Sequence, residues 1–388
     1  MTSGARPLVS AAMIVRDEAA TLGRCLASIA GWCDELVVVD TGSVDDTVEV
    51  ARSFGARVDA LPWTGDFAEA RNRSLELARG AWILYIDADE WMEPIERRSA
   101  HDELEAQADA AALQVWFRQR PGFSPYREYR LWPNRADVRF VGRIHETMLA
   151  DLRRISVEED RPIAASDVFH ILHDGYEGDQ TAKHQRNLPL LEQRVVELPN
   201  RVYLWNHLGD VRAALGEPDG ALDAWQHGVD VVRRFGLTER VDVLAYGGLG
   251  LALVDAGVDI TDLVEEIELL APWYLTALWL RARNDLRQGR PADAIGPLRR
   301  LLEIGPDPGE TSLAYNNAMF TDWAWEAWAE ALVHLGDRSG AAQVYATAAA
   351  ARPERVDYRV KSVALAASAR DHEPGADELG EGGVDGRR

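Results

Sequence analysis

The chain has 388 residues, a formal net charge of −22 and 47% apolar residues, enough to fill the cores of two or three domains. So acidic a surface disfavours nucleic acid and anionic lipid as partners, and an anionic ligand would need cations gathered locally. Leu8–Val15 is too short for a signal sequence, no run of about 20 apolar residues predicts a membrane span, and Cys25 and Cys33 lack metal-ligand spacing; free, buried thiols and a soluble cytoplasmic protein are expected.

The first 95 residues alternate between the two periodicities. Leu8–Val15 reads as a strand and Ala19–Ala30 as a helix with Leu22, Leu26 and Ile29 on one face. Glu35–Val39 is a strand ending at Asp40; Thr41-Gly42-Ser43 forms a turn, and Ser43 or Asp45 can cap a helix through Val48, Ala51 and Phe54. Arg57–Leu61 is a third strand, Asp66–Arg79 a helix and Trp82–Ile86 a fourth strand. Successive β-α units predict a parallel sheet with helices on both faces. From 96 to 182 the pattern loosens: a helix over Ile95–Ala108, strand-like pieces at Ala112–Phe117, Tyr129–Trp132, Arg139–Val141 and Asp167–Ile171, and otherwise loop rich in Arg and aromatic residues.

Beyond 183 the strands vanish. Arg186–Leu198, Tyr203–Leu215 and Ala221–Arg234 are helical, and further turns fall at Gly257, Gly289 and Gly336. Three turns share one spacing, an Ala five residues after a Gly: Gly216 and Ala221, Gly289 and Ala294, Gly336 and Ala341. That pattern predicts helix pairs packed closely through small residues, a degenerate array resembling tetratricopeptide (TPR) repeats. Such a stack suits a peptide or a second subunit, so a homodimer through the helical segment is one expected arrangement. Most of Trp205, Trp225, Trp273, Trp279, Trp323, Trp325 and Trp328 are expected in its core. Residues 371–388, Gly- and acid-rich, are expected to be disordered.

One acidic pair stands out. The apolar run to Ile86 ends in Asp87-Ala88-Asp89-Glu90. Two carboxylates at the carboxyl end of a strand suit Mg²⁺ or Mn²⁺ bridging a substrate diphosphate. If the strand continued, both side chains would point the same way. An acidic turn with no ligand reads equally simply from the pair alone.

The surroundings resolve this. Met13-Ile14-Val15-Arg16-Asp17-Glu18, Val37-Val38-Val39-Asp40-Thr41-Gly42-Ser43, Phe67-Ala68-Glu69-Ala70-Arg71-Asn72 and Ile86-Asp87-Ala88-Asp89-Glu90 come in one order. Together they resemble the nucleotide-sugar half of family 2 glycosyltransferases. The resemblance implies an α/β GT-A fold (a Rossmann-like mixed sheet) over 1–182, with 8–95 as the nucleotide-sugar half and 96–182 as the acceptor half, followed by an all-α TPR-like domain over 183–370. It implies a metal-dependent, inverting transfer of one sugar from a UDP- or GDP-sugar to a soluble acceptor: a peptide, a protein or a small molecule. Fusion to helical repeats is similar to the arrangement in peptide S- or O-glycosyltransferases.

By the same resemblance, Val15, Glu18, Asp40, Arg71 and Asp87 contact the nucleotide sugar, Asp40 through the base. Asp89 binds the metal, with His173 as a late ligand in preference to His170, and Glu90 lies behind them. Glu146 is the expected base, since direct displacement at a sugar carbon needs one opposite the leaving group. Arg130, Arg135 and Arg143 are expected to offset phosphate charge, while Arg71 could instead pair with Glu69 or Asp66. Two other readings remain at this point: a phosphohydrolase of the haloacid dehalogenase type, which also carries Asp-x-Asp, and a repeat scaffold with an inactive transferase domain. The Gln-x-x-Arg-Trp motif of processive polysaccharide synthases is not found.

Overall fold

The computed structural model describes residues 6–173, 180–309 and 311–370. The expected disordered tail and Asp174-Gly175-Tyr176 lie outside the described residues. The chain forms two compact units, one of residues 1–252, 269–274 and 307–316, the other of 253–268, 275–306 and 317–388.

The first unit is built on an eight-stranded mixed sheet. In chain order it runs β1 (Val9–Val15), α1 (Ala19–Ile29), β2 (Glu35–Asp40), α2 (Thr47–Ser53), β3 (Arg57–Ala60), α3 (Phe67–Leu77), β4 (Trp82–Tyr85), β5 (Glu90–Met92), α4 (Arg97–Ala106), β6 (Ala112–Arg118), β7 (Tyr126–Pro133), α5 (Leu149–Glu158) and β8 (Ile163–His173). The strand order is β3-β2-β1-β4-β7-β6-β8-β5. The first four strands are parallel, Ala12 facing Val37 and Tyr85; β7 then joins β4 antiparallel. This is the α/β mixed sheet expected from the sequence.

Strand alternation divides the core into two layers. Val9, Ala11, Met13 and Val15 pack on one face with Leu22 and Leu26 of α1 and Leu104 of α4. Ala12, Val37 and Val39 pack on the other with Leu75 of α3 and Leu152 and Ile155 of α5. Cys25 and Cys33 are free and buried, as expected.

Three local readings change. Asp46 occupies the N-cap position of α2 without a side-chain bond, and the expected Asp45 carboxylate accepts the first helical N–H, of Thr47, as well as that of Ala19; Ser43 instead receives the Asp17 N–H from the loop after β1. Arg139–Val141 is not a strand, because its amides are taken elsewhere: Arg139 N–H donates to Asp151 of α5 and Phe140 N–H to Asn72 of α3. Helix α5 lies where loop was expected, and the short strand β5 falls where no element was assigned. Each is stabilised by non-local packing, β5 by pairing with β8 and α5 by the lower core layer.

The same unit contains α6 (Thr181–Glu197), α7 (Val202–Ala214) and α8 (Pro218–Phe235), packed through Leu191, Val195, Leu204, Leu208, Val211 and Ala224 together with Ile144. After these come α9 (Leu244–Asp255) and α10 (Thr261–Leu270), then α11 (Thr276–Arg287), α12 (Pro291–Ile304), α13 (Asp322–His334), α14 (Arg338–Ala351) and α15 (Val356–Arg370), the last five-helix run packing in consecutive pairs within the second unit.

The repeated turn has one cause. Gly216, Gly289 and Gly336 all have positive φ, 71–82°. In each, the residue after Gly donates its N–H five residues back: Glu217 to Arg212, Arg290 to Asp285, Asp337 to Leu332. That is a left-handed C-cap, which favours Gly because a Cβ is strained there. Ala221, Ala294 and Ala341 are each 0% exposed, so the following helix approaches its partner through a methyl group. The tryptophans are less central than expected. Trp225 and Trp279 are buried, four of the seven are half-buried, and Trp323 is 40% exposed, stacked on Trp279. An indole can bury its face and leave its edge wet.

Candidate active site

The parallel strands end on one side of the sheet, where loops gather around a cavity of about 550 Å³. Its size suits a nucleotide-sized ligand. The loop after β1 is laced to the loop after β2. Asp17 N–H donates to Ser43 Oγ, Val44 N–H to Asp17, Glu18 N–H to Thr47 Oγ1 and Ala19 N–H to Asp45. Asp40 ends β2 buried, and its carboxylate accepts the N–H groups of Gly42 and Ser43 at 3.1–3.3 Å. It closes the turn, while Val15, Glu18 and Thr41 line the cavity.

Asp87 and Asp89 are not on a continuing strand. β4 stops at Tyr85, and Asp87–Glu90 is a turn in which Glu90 N–H donates to the Asp87 carbonyl. Cys25 Sγ donates to that same carbonyl and Asp87 N–H donates to Glu90. The turn separates the two carboxylates. Asp87 meets Arg71 Nη2 at 2.8 Å, and Asp89 meets His173 Nε2 at 3.1 Å.

His173 is the last residue of β8 and pairs with Glu90 of β5, so sheet register brings it beside Asp89. Its Nδ1 lies 2.8 Å from the Gln119 carbonyl. A carbonyl only accepts, so Nδ1 carries the proton and Nε2 has the lone pair when the ring is neutral. Burial lowers the His173 pKa, but the bond to Asp89 and its charge, the Gln119 carbonyl and the Glu90 charge together outweigh it, and the net shift is upward. One hard oxygen and one imidazole nitrogen, 3.1 Å apart, match two adjacent corners of an octahedron with bonds of about 2.1 Å. Among the described residues no group of three or more such donors forms. Two such donors could hold a Mg²⁺ or Mn²⁺ ion, since these ions commonly take few protein ligands. His170 faces Asp167 and Glu93, away from this pair.

Arg71, on α3, is buried and joins the rest of the site. Its Nε donates to Glu146 Oε1 at 2.5 Å, its Nη2 to Asp87, and its guanidinium lies 4.4 Å from the Tyr85 ring. Neither Glu69 nor Asp66 is its partner: Asp66 caps α3 through Glu69 N–H, and Glu69 bonds Thr64. Burial opposes ionisation of Asp87, but Arg71 and Arg130 hold its carboxyl below the usual range. Burial pushes the Glu146 carboxyl up, with Arg71 opposing. Glu18 is pushed up by burial, and the nearby Asp89 and Asp87 add to this.

Of the three arginines expected to meet phosphate, Arg130 alone lines the cavity, and it is held by a two-bond pair with the buried Glu90 at 2.7 and 3.1 Å. Burial lifts Glu90 to about 7 against the pull of Arg130. Arg135 is spent on Asp137 and Glu159, and Arg143 is exposed. The Glu90–Arg130 pair spans 40 residues, and no local motif marks it.

Beside Glu146, His145 has φ +50°, and its ring stacks on His207 of α7 at 4.0 Å with Tyr203 edge-on to both. Burial drives both imidazoles toward the neutral form, His207 to about 4. A histidine whose folded pKa is depressed gives stability that is complete above its unfolded pKa, near 6.5, and lost as pH falls through its folded value. Stability should therefore drop between pH 6.5 and 4, by on the order of 2 kcal/mol for His207 after allowance for partial exposure. Urea melts across that range should show this, and His207→Phe should flatten the drop; an unaltered pH slope in the variant would refute the assignment.

Residues 10–155 match the family described as glycosyl transferase family 2. A TPR repeat-containing protein of Synechococcus elongatus is 34% identical over 298 residues, 72% of this chain and 72% of its own length. The SPbeta prophage-derived glycosyltransferase SunS of Bacillus subtilis is 25% identical over 59% of this chain; the match spans just over half, 55%, of its length. S. aureus TarS 1–349, solved in complex with UDP-GlcNAc, aligns over 76% of this chain and 91% of its own at 14% identity and a TM-score of 0.38. The phosphohydrolase reading falls, because the stretch that matches the glycosyltransferase family contains Asp87–Asp89. With the matched motifs lining one cavity at the strand ends, and a relative this similar along most of its length, the chain belongs to glycosyl transferase family 2 and is a glycosyltransferase with a helical, TPR-like C-terminal region.

Proposed function

We propose that the protein transfers one sugar from a nucleoside-diphosphate sugar to an acceptor hydroxyl or thiol, with inversion and with a divalent metal. One observation carries this reading: the Asp89–His173 pair and the Asp87–Arg71–Glu146 chain open on the same cavity. Val15, Thr41 and the turn that Asp40 closes border the nucleotide end. Asp89 and His173 would hold Mg²⁺ or Mn²⁺, which supplies Lewis-acid stabilisation of the leaving diphosphate.

Glu146 takes the proton from the acceptor as its oxygen or sulfur forms a bond to the anomeric carbon. The bond from that carbon to the diphosphate oxygen breaks, and its electron pair leaves with the nucleoside diphosphate. Arg71 occupies one Glu146 oxygen, so proton transfer falls to the other, Oε2. A peptide or protein side chain is the acceptor class we favour, supported by the likeness to peptide glycosyltransferases and by the helix-pair stack. We place the reaction in the cytoplasm, where the two buried thiols would stay reduced. No helix among the described residues is long and apolar enough to cross a membrane.

A thermal-shift series with UDP-, GDP- and dTDP-sugars plus Mn²⁺ tests the donor. One base should raise the melting temperature by about 5 °C at saturating ligand. No shift with any of them would favour the repeat-scaffold reading instead.

A further inference from the structure

The cavity poses a charge problem. Its walls carry Glu18, Asp87, Asp89, Glu90 and Glu146, and its two buried arginines are already committed, Arg71 to Asp87 and Glu146, Arg130 to Glu90. A nucleoside diphosphate adds further negative charge. A metal at Asp89 and His173 offsets part of it, and cations without carboxylate partners must offset the rest.

Outside these pairs the cavity is also lined by Arg16, Lys183, Arg186 and Arg201. Arg186 of α6 lines the cavity, with Lys183 on the same helix face at i−3 and the adjacent Asn187 also in the lining. The Arg186 guanidinium sits 5.6 Å from the ring of Phe67, itself a wall residue. Its Nε donates to the neighbouring Asn187 side chain, and it forms no ion pair among the described residues. Arg16, on the loop after β1, lines the same cavity, and its one ion pair among the described residues is a 3.8 Å exposed contact with its neighbour Asp17. The two guanidiniums repel: partial burial and Arg16 together pull the Arg186 pKa down, and Glu18 offsets this only in part. Two arginines with spare donors, lining one cavity, are an arrangement that an anion relieves.

We propose that Arg186 and Arg16, with the α6 face behind them, bind the diphosphate of the donor, so that α6 completes the donor site. This rests on the nucleotide-sugar reading above. It adds a donor contact outside residues 10–155, the stretch matched by the family. An Arg on a phosphate makes charge-assisted bonds, each contributing about tenfold in affinity.

Isothermal titration of the full chain with UDP and with GDP, in Mn²⁺, tests it. Arg186→Ala should weaken binding of the preferred diphosphate tenfold or more, with Arg186→Lys recovering part of the loss and the melting temperature unchanged. The corresponding monophosphate should lose much less, narrowing the gap between the two ligands. Unchanged diphosphate affinity in Arg186→Ala would overturn the α6 site and leave the transferase reading standing, as would equal losses for monophosphate and diphosphate. Failure of the unaltered protein to bind any nucleotide would overturn both.

Discussion

Asp89→Ala is expected to reduce metal-dependent sugar transfer by about 10³-fold or more. Asp89 supplies one of the two donors that the fold sets 3.1 Å apart, and a two-donor site has no reserve. His173→Gln should act through the same ion with a smaller effect. The Gln119 carbonyl holds the ring with Nε2 facing Asp89, and losing so oriented a ligand should raise the Mn²⁺ concentration for half-maximal rate by about 10–100-fold. Initial rates across a Mn²⁺ titration, after chelation and dialysis, separate the two cases. Full activity of Asp89→Ala, or rates indifferent to chelation, would remove the metal from the reaction.

Glu146→Gln is expected to lower kcat by about 10²–10⁴-fold, the usual contribution of a general base, while donor affinity stays within about twofold. Glutamine retains an oxygen for Arg71 Nε, so the Arg71–Asp87 arm survives. The companion change, Arg71→Met, gives a readout that a merely structural residue would not move. Burial raises the Glu146 pKa and Arg71 opposes it. A base works when ionised, so the rate should rise with pH through the Glu146 pKa and flatten above it. Without Arg71 the opposing charge is gone and this acid limb should shift to higher pH. Normal turnover of Glu146→Gln would place the base elsewhere, and an unmoved limb in Arg71→Met would deny Arg71 its hold on it.

Much of the frame was legible because its causes are local. Leu22, Leu26 and Ile29 recur at helical spacing and are all 0% exposed, and the β1, β2 and β4 runs are apolar because both faces of a central parallel strand are covered. The three Gly–Ala turns could be read because a left-handed C-cap and a methyl-wide helix contact each demand a particular residue at a particular place. Asp87, Asp89, Arg71, Glu146 and His173, all named as site residues, stand around one cavity. Asp40 is the exception among them, since its carboxylate serves its own turn. β5 and α5 were not legible, since neither is strongly periodic alone and both depend on distant partners.

What the sequence by itself determined, then, is the alternation of the first strands and helices, the helical second half, the family, and which acidic, basic and imidazole side chains to look for around the cavity. These depend on periodicity and on backbone conformations that neighbouring residues impose. Which groups pair was decided only by the tertiary structure. Arg71 reaches 75 residues to Glu146, Arg130 reaches 40 to Glu90, and His173 reaches 84 to Asp89. A buried charge is tolerated only beside its partner, and that partner is chosen by sheet register and helix packing, which no stretch of local pattern encodes. The same commitments leave α6, far along the chain, with Arg186 on the cavity wall outside those pairs.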